Sequence, residues 1–319
     1  MTRSPWRGSG HYGVGMHAPV IVAGEALIDI VVSRQGETEH VGGSPANVAI
    51  GLSRLEHTAS LACHIGTDER GVRIKDHLAG EHVDLVEGST RAERTPTATA
   101  LLGDDGAATY AFKITWELDP DLPVPPGAHF HTGSIATILQ PGGDAVRDVM
   151  KRIRDTNTIS YDPNARPQLM GHPAQVRPRV EELVVLSDVV KASDEDVDWF
   201  YEGLGLEVTL QHWARLGVSV GVITRGGKGA LVCVGGEIHS VGLPAVEVVD
   251  TVGAGDSFMA GLLSGLLDAD LLGDADARER LKAADWATIE PAVSRALACA
   301  AITVARAGAN PPRRDELPS

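Results

Sequence analysis

The strongest local motif in the sequence is Asp250-Thr251-Val252-Gly253-Ala254-Gly255-Asp256-Ser257-Phe258-Met259-Ala260-Gly261. Small residues precede Asp256, and the small and apolar residues after it predict a helix. Small side chains let a phosphate reach the backbone N–H groups at a helix start, where the helix dipole also favours negative charge. A carboxylate suits such a site only if it accepts a proton from an incoming hydroxyl. Taken alone, the run also fits a tight turn in which Asp256 merely caps the helix.

A second motif, Gly42-Gly43-Ser44-Pro45-Ala46-Asn47, opens another helical pattern. The glycines let a ligand touch the main chain, and Asn47 offers both a donor and an acceptor. Together with Asp29, which interrupts an apolar stretch, Asn47 could bind the vicinal hydroxyls of a sugar. The alternative is a plain loop with Ser44 as the helix N-cap, and Asp29 on its own also fits a turn or cap residue.

A third motif, Ile223-Thr224-Arg225-Gly226-Gly227-Lys228-Gly229-Ala230, places glycines directly after an expected strand. It resembles a nucleotide-binding loop but is not a P-loop, because Gly229 follows the lysine and the spacing differs. A hairpin turn is the alternative. No G-x-G-x-x-G follows the first strand, which argues against a dinucleotide-dependent oxidoreductase.

Strand and helix patterns alternate along most of the chain, starting with β-α-β-α over the first 80 residues. This alternation predicts an α/β fold with helices flanking a sheet. Residues 95–116 differ, because two β-type runs surround a tight turn at 103–106. We expect this hairpin to form a small lid or an oligomer surface.

Composition excludes several classes of protein. The 319 residues carry a formal net charge of −15 with only 4% aromatic residues and no Lys/Arg cluster, so nucleic acid is not an expected partner. Three widely spaced cysteines fit reduced thiols in the cytoplasm. Residues 1–19 lack the apolar stretch of a signal or anchor and predict a disordered extension. No apolar run is expected to span a membrane, and the tail at 313–319 is expected to fray.

In this order, the three motifs resemble the ribokinase-like (PfkB) carbohydrate kinases over about residues 20–312. The runs at 130–134, 160–167 and 190–196 are most similar to fructokinases, although kinases for 2-keto-3-deoxygluconate have similar runs. The resemblance implies an α/β fold with a three-layer α/β/α core, a mostly parallel sheet and a small β-lid from about 31–41 and 95–117. It also implies a homodimer formed through the lid.

The resemblance assigns a role to each matching residue. It makes Asp256 the catalytic base, with Gly253, Ala254 and Gly255 as the anion hole. The implied substrate contacts are Asp29, Gly43 and Asn47, and the implied nucleotide contacts are Thr224, Gly226, Gly227 and Gly229. Asn164 and Arg166 are further candidates for the substrate, and an ion pair with a nearby acid is the alternative for Arg166. Lys191 and Ser193 are further candidates for the nucleotide, and the end of a strand is the alternative for Lys191.

Metal roles follow from the same resemblance, with two departures from the family pattern. The family's Asn-x-x-Glu motif, linked to Mg²⁺, reads Ser193-Asp194-Glu195-Asp196 here, so Asp196 keeps a carboxylate and Ser193 replaces the asparagine. The positions at which the family binds a monovalent cation such as K⁺ are Asp250, Val252, Thr303, Arg306 and Gly308. A serine that helps to hold that cation in ribokinase is replaced by Pro312.

The expected reaction is transfer of the γ-phosphoryl group of ATP, bound with Mg²⁺, to a primary sugar hydroxyl, with O6 of fructose as the first choice. The alternatives within the family are a ribokinase and a 2-keto-3-deoxygluconate kinase, in which a cationic side chain should face the carboxylate of the sugar acid. A non-catalytic sugar- or nucleotide-binding regulator is the alternative from another class, and the intact Asp256 argues against it.

Overall fold

The computed structural model describes residues 17–318 except 35, 103–107 and 244–245. Most of the extension predicted for residues 1–19, and the tip of the predicted hairpin, therefore lie outside the described residues. The strands are β1 (Val20–Ala23), β2 (Leu27–Ser33), β3 (Gly36–Gly42), β4 (Ala59–Ala62), β5 (Asp84–Leu85), β6 (Thr97–Leu102), β7 (Ala108–Lys113), β8 (His129–Gly133), β9 (Thr158–Asp162), β10 (Val189–Ser193), β11 (Val220–Thr224), β12 (Ala230–Val234) and β13 (Glu237–Val241).

Helices connect most of these strands, and several begin at side-chain caps. Asp68 caps α2 by accepting from the Gly71 amide, and Asp285 caps α10 by accepting from the Thr288 amide. The helices are α1 (Ser44–Arg54), α2 (Glu69–Gly80), α3 (Gly142–Ile153), α4 (Pro167–Met170), α5 (Pro173–Val185), α6 (Asp194–Phe200), α7 (Leu206–Arg215), α8 (Ala254–Asp268), α9 (Ala275–Ala283) and α10 (Trp286–Val304).

The central sheet has the strand order β13-β12-β11-β10-β9-β8-β1-β4-β5 among the described residues. Its strands are parallel from β5 to β11, and β12 and β13 add antiparallel pairs at one edge. Strand side chains alternate between the two faces. Val20 and Val22 therefore join one apolar core, and Ile21 and Ala23 join the other.

Helices cover both faces of this sheet. Helices α1, α2, α8, α9 and α10 pack on the first core, whereas α3, α5, α6 and α7 pack on the second. Because both faces are buried, the strands read as continuous apolar runs in the sequence. The predicted three-layer α/β/α core with a mostly parallel sheet is confirmed.

A smaller sheet stands apart from the central one, with the order β3-β2-β6-β7. Strand β2 pairs antiparallel with β3 and parallel with β6, which pairs antiparallel with β7. This sheet corresponds to the predicted β-lid, but it begins at Leu27 rather than near 31 and its last strand ends at Lys113. The boundary shifts because the apolar run around Asp29 continues as strand β2 instead of turning.

Helix α8 lies against α10 with almost no space between the two backbones. A Cβ atom on Gly261 would lie 2.8 Å from the Ala296 Cα atom, and one on Gly265 would lie 2.5 Å from the Ala292 Cα atom. Contacts under 3.0 Å would force the helices apart. These glycines therefore fix the position of α8 and of its first turn.

Helix α10 is long and apolar enough to cross a bilayer by length and composition alone, which the sequence analysis did not anticipate. In the structure its residues Ile289, Val293 and Ala296 are buried in the first apolar core. The same test is passed by core helices of proteins that span no membrane.

The expectation that the tail frays from residue 313 is wrong for the residues that the structure describes. Arg314 donates to both carboxylate oxygens of Asp268 and to the Leu55 carbonyl oxygen, and residues Arg314–Glu316 form a 3₁₀ turn. His17, near the other end, also lies 3.3 Å from Asp268. The ion pair of Arg314 with Asp268 holds the described part of the tail against the domain, and no local sequence pattern predicts this contact.

Candidate active site

The carboxyl ends of neighbouring parallel strands meet at one edge of the central sheet. Glu25 follows β1, Ser134 follows β8, Asp162 ends β9, Ser193 ends β10 and Thr224 ends β11. In open α/β sheets this edge is where ligands bind. Most of the residues selected from the sequence lie at this edge or beside it.

The first turn of α8 contributes backbone N–H groups to this edge. Gly253 precedes the helix with φ +74°, and a Cβ atom there would lie 2.5 Å from the Ala309 Cβ atom, so only glycine fits. Within the described chain, the Gly253 and Gly255 amides donate to no backbone carbonyl, whereas the Ala254 amide donates to Thr251 over 3.3 Å. The residues predicted to form the anion hole therefore lie at a helix N-terminus whose backbone donors are free or weakly bonded.

Asp256 lies in the same turn and is only 8% exposed. The Ser44 hydroxyl donates to its Oδ1 atom over 2.6 Å, and the Asn47 amide donates to its Oδ2 atom over 2.8 Å. Residues three apart share one face of a helix, so the first turn of α1 presents both donors together. The two motifs that lie about 200 residues apart in the sequence thus meet at the Asp256 carboxylate.

This contact corrects the role expected of Ser44. Helix α1 begins with Ser44 itself, and the preceding cap residue is Gly43, with φ +114° and no side-chain cap bond. A Cβ atom on Gly43 would lie 2.4 Å from the Glu25 carbonyl oxygen. Glycine at 43 lets α1 approach the end of β1, and the Ser44 hydroxyl is left to bind Asp256.

A cavity of about 650 Å³ opens above Asp256. Strands β2, β6 and β7 of the smaller sheet form one wall, and the ends of β1, β8, α1 and α8 form the floor. The lining residues that carry a polar side chain are Glu25, Asp29, Ser44, Asn47, Tyr110, Ser134, Arg166, Gln168, Thr251 and Asp256.

The predicted substrate contacts divide into two groups. Asp29, Gly43, Asn47 and Arg166 line the cavity. The side chain of Asn164 instead accepts from the Arg166 guanidinium over 2.8 Å, from a left-handed backbone with φ +36°. Asn164 therefore positions Arg166 at the cavity wall.

Lys191 lies beside the anion hole. Its Nζ atom donates to the Asp162 Oδ2 atom over 2.9 Å, with both side chains buried, and a Cβ atom on Gly255 would lie 3.0 Å from the same nitrogen. Burial alone lowers the pKa of Lys191, but the nearby carboxylates of Asp162 and Asp196 outweigh it, so the pKa is raised. A permanent positive charge therefore stands next to the Gly255 backbone.

The predicted nucleotide loop follows β11 as a short 3₁₀ turn, Gly226–Lys228, and leads into β12. Gly226 and Gly227 are exposed, and a Cβ atom at either would meet no atom within 4 Å. At Gly229, with φ +82°, a Cβ atom would lie 2.0 Å from the Val241 carbonyl oxygen. Residues 226–229 thus form a hairpin turn, which is the alternative that the sequence analysis gave. The backbone of Gly226 and Gly227 remains open at the edge of the site.

Ser193 and Asp196 form the capping box of α6. The Asp196 carboxylate accepts from the Ser193 amide over 2.8 Å and from the Ala165 amide over 2.7 Å, while the Asp196 amide donates to the Ser193 hydroxyl. Both carboxylate oxygens are thus bound to backbone donors. The described residues contain no group of three or more His, Cys, Asp or Glu side chains able to hold a metal ion.

The residues expected to hold a monovalent cation are only partly together. Asp250 accepts from the Val252 and Gly308 amides over 3.0 and 2.8 Å, which brings those residues into one loop cluster. The Thr303 hydroxyl hydrogen-bonds to the Cys299 carbonyl oxygen and to the Ser257 hydroxyl, inside the helix pair. Arg306 pairs with Glu316 of the tail.

The sequence analysis missed Ser44, Glu25, Ser134 and Asp162 as site residues. The i, i+3 spacing of Ser44 and Asn47 was a usable signal. No sequence signal marks Glu25 or Ser134, because these residues come close to Asp256 only through the pairing of β1 with β8.

The comparisons with known proteins agree with this geometry. Residues 20–316 match the pfkB family carbohydrate kinases. A fructokinase of Rhizobium leguminosarum bv. trifolii is 33% identical over 79% of this chain and 81% of its own. A fructokinase of Escherichia coli is 31% identical over 95% of this chain and 99% of its own.

Solved structures show the same likeness. A fructokinase from Vibrio cholerae O395, with fructose, ADP and calcium ion bound, has a TM-score of 0.79 and 29% identity over 92% of this chain and 94% of its own. A sugar kinase from Pyrococcus horikoshii in complex with ATP has a TM-score of 0.72 and 26% identity over 93% and 96% of the two chains.

Proposed function

The chain belongs to the pfkB family of carbohydrate kinases, and we propose that it transfers the γ-phosphoryl group of ATP to the O6 hydroxyl of fructose. The observation that carries this proposal is the Asp256 carboxylate, which Ser44 and Asn47 hold at the start of α8 and at the floor of the cavity. The fructokinase relatives support fructose as the acceptor.

Asp256 acts as the general base in this proposal. Its two side-chain donors come from α1 and hold the carboxylate fixed, while the cavity gives a sugar hydroxyl access to it. The hydroxyl proton passes to Asp256 as the oxygen attacks the terminal phosphorus and ADP leaves. A positioned base of this kind typically contributes about 10²–10⁴-fold to the rate.

The first turn of α8 and Lys191 stabilise the charge of the transferred group. The Gly253 and Gly255 amides are free to donate, and the Ala254 amide gives up only a long hydrogen bond. The Lys191 ammonium lies against Gly255 and adds a positive charge. Removal of one preorganised donor at such a site typically raises the activation free energy by about 3 kcal/mol.

Mg²⁺ neutralises the phosphates of ATP and orients the terminal one when it is bound. Asp162 and Asp196 are the carboxylates closest to the charge of Lys191. The described residues contain no group of three or more metal-ligating side chains, so these carboxylates would act beside ligands from the phosphates of ATP. Asp250, Val252 and Gly308 remain our proposed backbone site for a monovalent cation, with Thr303 and Arg306 only neighbouring it.

A second candidate is a kinase for 2-keto-3-deoxygluconate, because Arg166 places a cation at the cavity wall. Its guanidinium could pair with a sugar-acid carboxylate. The same cavity, however, is lined by the carboxyl groups of Glu25, Asp29 and Asp256. Three carboxyl groups thus face the cavity with one guanidinium. Because carboxyl groups bind hydroxyl donors, this set favours an uncharged sugar.

The smaller sheet is the proposed lid. Ala98, Tyr110 and Phe112 of β6 and β7 line the cavity, so an inward movement of this sheet would exclude water from the reacting groups. The homodimer through this sheet, which the family resemblance implies, and the cytoplasmic location, which the pattern of cysteines favours, stay proposals.

A panel of acceptors tests the proposed function. D-Fructose, D-ribose and 2-keto-3-deoxygluconate are each supplied with ATP and Mg²⁺, and ADP release is measured over a range of sugar concentrations. We expect the highest kcat/KM with fructose. A higher kcat/KM with the sugar acid would select the second candidate, and no turnover of any sugar would contradict the proposed function.

A further inference from the structure

The side chain of Glu25 is a buried carboxyl group that lines the cavity, and the proposed reaction assigns it no role. It follows β1, is 5% exposed, and lines the cavity together with Asp256 and Arg166. Its Oε2 atom is fully buried and has no hydrogen-bond partner. Buried polar atoms in folded proteins almost always have a partner, so this orphan atom needs an explanation.

Ser134 lines the same cavity beside Glu25 and is itself in an unusual conformation. Its backbone is left-handed with φ +54°, which is unfavourable for a residue other than glycine. Strained conformations of this kind cluster at ligand sites. Burial, together with the negative charge of Asp256, raises the pKa of Glu25 to about 7, despite the opposing effects of Ser134 and Arg166.

We propose that Glu25 is an acceptor-binding residue, whose free Oε2 atom exchanges a hydrogen bond with a sugar hydroxyl other than the one that is phosphorylated. This inference rests on the proposed sugar kinase function, and it names a contact that fixes the sugar relative to Asp256. Occupation of the cavity would give the orphan atom the partner that it lacks in the free protein.

The chemistry of Glu25 also selects the class of acceptor. A hydroxyl group can donate to a carboxylate or accept from a carboxylic acid, so it pairs with Glu25 in either protonation state. A carboxylate ligand accepts only, and therefore pairs with Glu25 only when Glu25 is protonated. Glu25 accordingly favours an uncharged polyhydroxylated acceptor over a sugar acid.

Glu25→Met is the informative variant, with Glu25→Gln as the conservative one. Methionine fills a similar volume without a polar atom, so it removes the orphan atom without leaving an unpaired group, and we expect the variant to unfold at the same or a higher temperature. The measurements are KM for the sugar, KM for ATP, kcat and the thermal midpoint. The exposed Glu202→Gln variant serves as the control.

We expect Glu25→Met to raise KM for the sugar by about tenfold or more, as loss of a hydrogen bond to a buried group does, while KM for ATP stays within about twofold. Glu25→Gln, which keeps hydrogen-bonding capacity, should recover most of that loss. An unchanged sugar KM in both variants, with wild-type stability, would overturn the assignment and leave the kinase function standing.

Calorimetric titration separates the two proposals. D-Fructose, D-ribose and 2-keto-3-deoxygluconate are each titrated into wild type and both variants without ATP. Binding that weakens in Glu25→Met, in a wild-type protein that phosphorylates none of the sugars, would support Glu25 and contradict the kinase proposal. Binding of equal strength in all three proteins, or no binding to wild type, would contradict the role of Glu25.

Discussion

The two sides of the site are built differently. The proposed acceptor side consists of the Glu25 side chain after β1 and of Ser44, Asn47 and Asp256, which short hydrogen bonds join between α1 and α8. The proposed nucleotide side, defined by residues 224–229, presents exposed backbone at Gly226 and Gly227. Selectivity for the sugar should therefore depend on side-chain identity, whereas ATP binding should depend on backbone conformation.

The largest effect is expected at the base. Asp256→Asn keeps the shape of the side chain but cannot accept the proton, so kcat should fall by about 10²–10⁴-fold while the protein stays folded. The rate of ADP release at saturating sugar measures the change. Asp76→Asn, the same substitution at an exposed position of α2, is the control, and a loss of less than tenfold in Asp256→Asn would remove the base assignment.

The next largest effect concerns Lys191, where the two sides meet. Lys191→Met should lower kcat by about 10²–10³-fold, because it removes a charge beside the anion hole. It also breaks a buried ion pair, which costs about 3–5 kcal/mol of stability.

Asp162→Asn breaks the same ion pair but keeps the ammonium, so it serves as the control for Lys191→Met. The fraction of folded protein is measured by circular dichroism, and rates are compared per folded molecule. Equal losses of kcat in both variants would contradict a contribution of the Lys191 charge beyond its ion pair with Asp162.

The acceptor side should also carry a stability cost that depends on pH. The pKa of Glu25 is about 7 in the folded protein against an ordinary value of 4.5, so its stabilising contribution is complete below the ordinary value and is lost as the pH rises through 7. The unfolding free energy of wild type should therefore fall relative to Glu25→Met between pH 5 and 8, by up to about 3 kcal/mol. Urea unfolding of both proteins at pH 5 and pH 8 measures these free energies. A difference between wild type and Glu25→Met that does not change with pH would contradict the role of burial in raising the pKa.

A smaller effect is expected from one of the two hydrogen bonds to the base. Ser44→Ala removes the donor to the Asp256 Oδ1 atom and should lower kcat/KM for the sugar by about tenfold, with KM for ATP unchanged. Ser53→Ala is the matched control, because its hydroxyl lies on the same helix and donates to the Glu81 carbonyl oxygen away from the cavity. Equal effects of both variants would show that Ser44 matters only for the helix.

The smallest effect should come from the nucleotide side. Gly226 has φ +51° and open space around it, so Gly226→Ala costs only about 1 kcal/mol of backbone strain and should raise KM for ATP a few-fold, leaving KM for the sugar unchanged. Gly229→Ala, which meets the Val241 carbonyl oxygen, should instead lower the thermal midpoint. A higher KM for the sugar in Gly226→Ala would contradict the claim that the two sides act separately.

The sequence predicted those parts of the molecule whose structure follows from the local sequence pattern. The apolar strands, the glycines at 253 and 255 and the pairing of Asn47 with the Asp256 motif follow from short-range rules or from a resemblance over the whole chain. The start of the smaller sheet was misplaced, because Asp29 looks like a turn residue in isolation and lies in strand β2 through its pairing with β6.

The residues that were missed depend on long-range contacts. Glu25 lies near Ser134 because β1 pairs with β8, and Arg314 holds the tail because it binds Asp268 from another helix. The sequence context of Ser44 is typical of an N-cap, whereas the structure gives that position to Gly43. Such contacts are fixed by the sheet order and the packing of α8, which no short window of sequence contains.

The most direct test of the central claim is the identity of the reaction product. The claim is that the cavity above Asp256 is where a sugar hydroxyl receives the terminal phosphoryl group of ATP. Wild-type protein is incubated with ATP, Mg²⁺ and D-fructose, and the reaction is followed by ³¹P NMR. The proposed function predicts a phosphate ester on O6 of fructose, formed in equal amount with ADP. Release of free phosphate without an ester, or unchanged ATP, would contradict the claim.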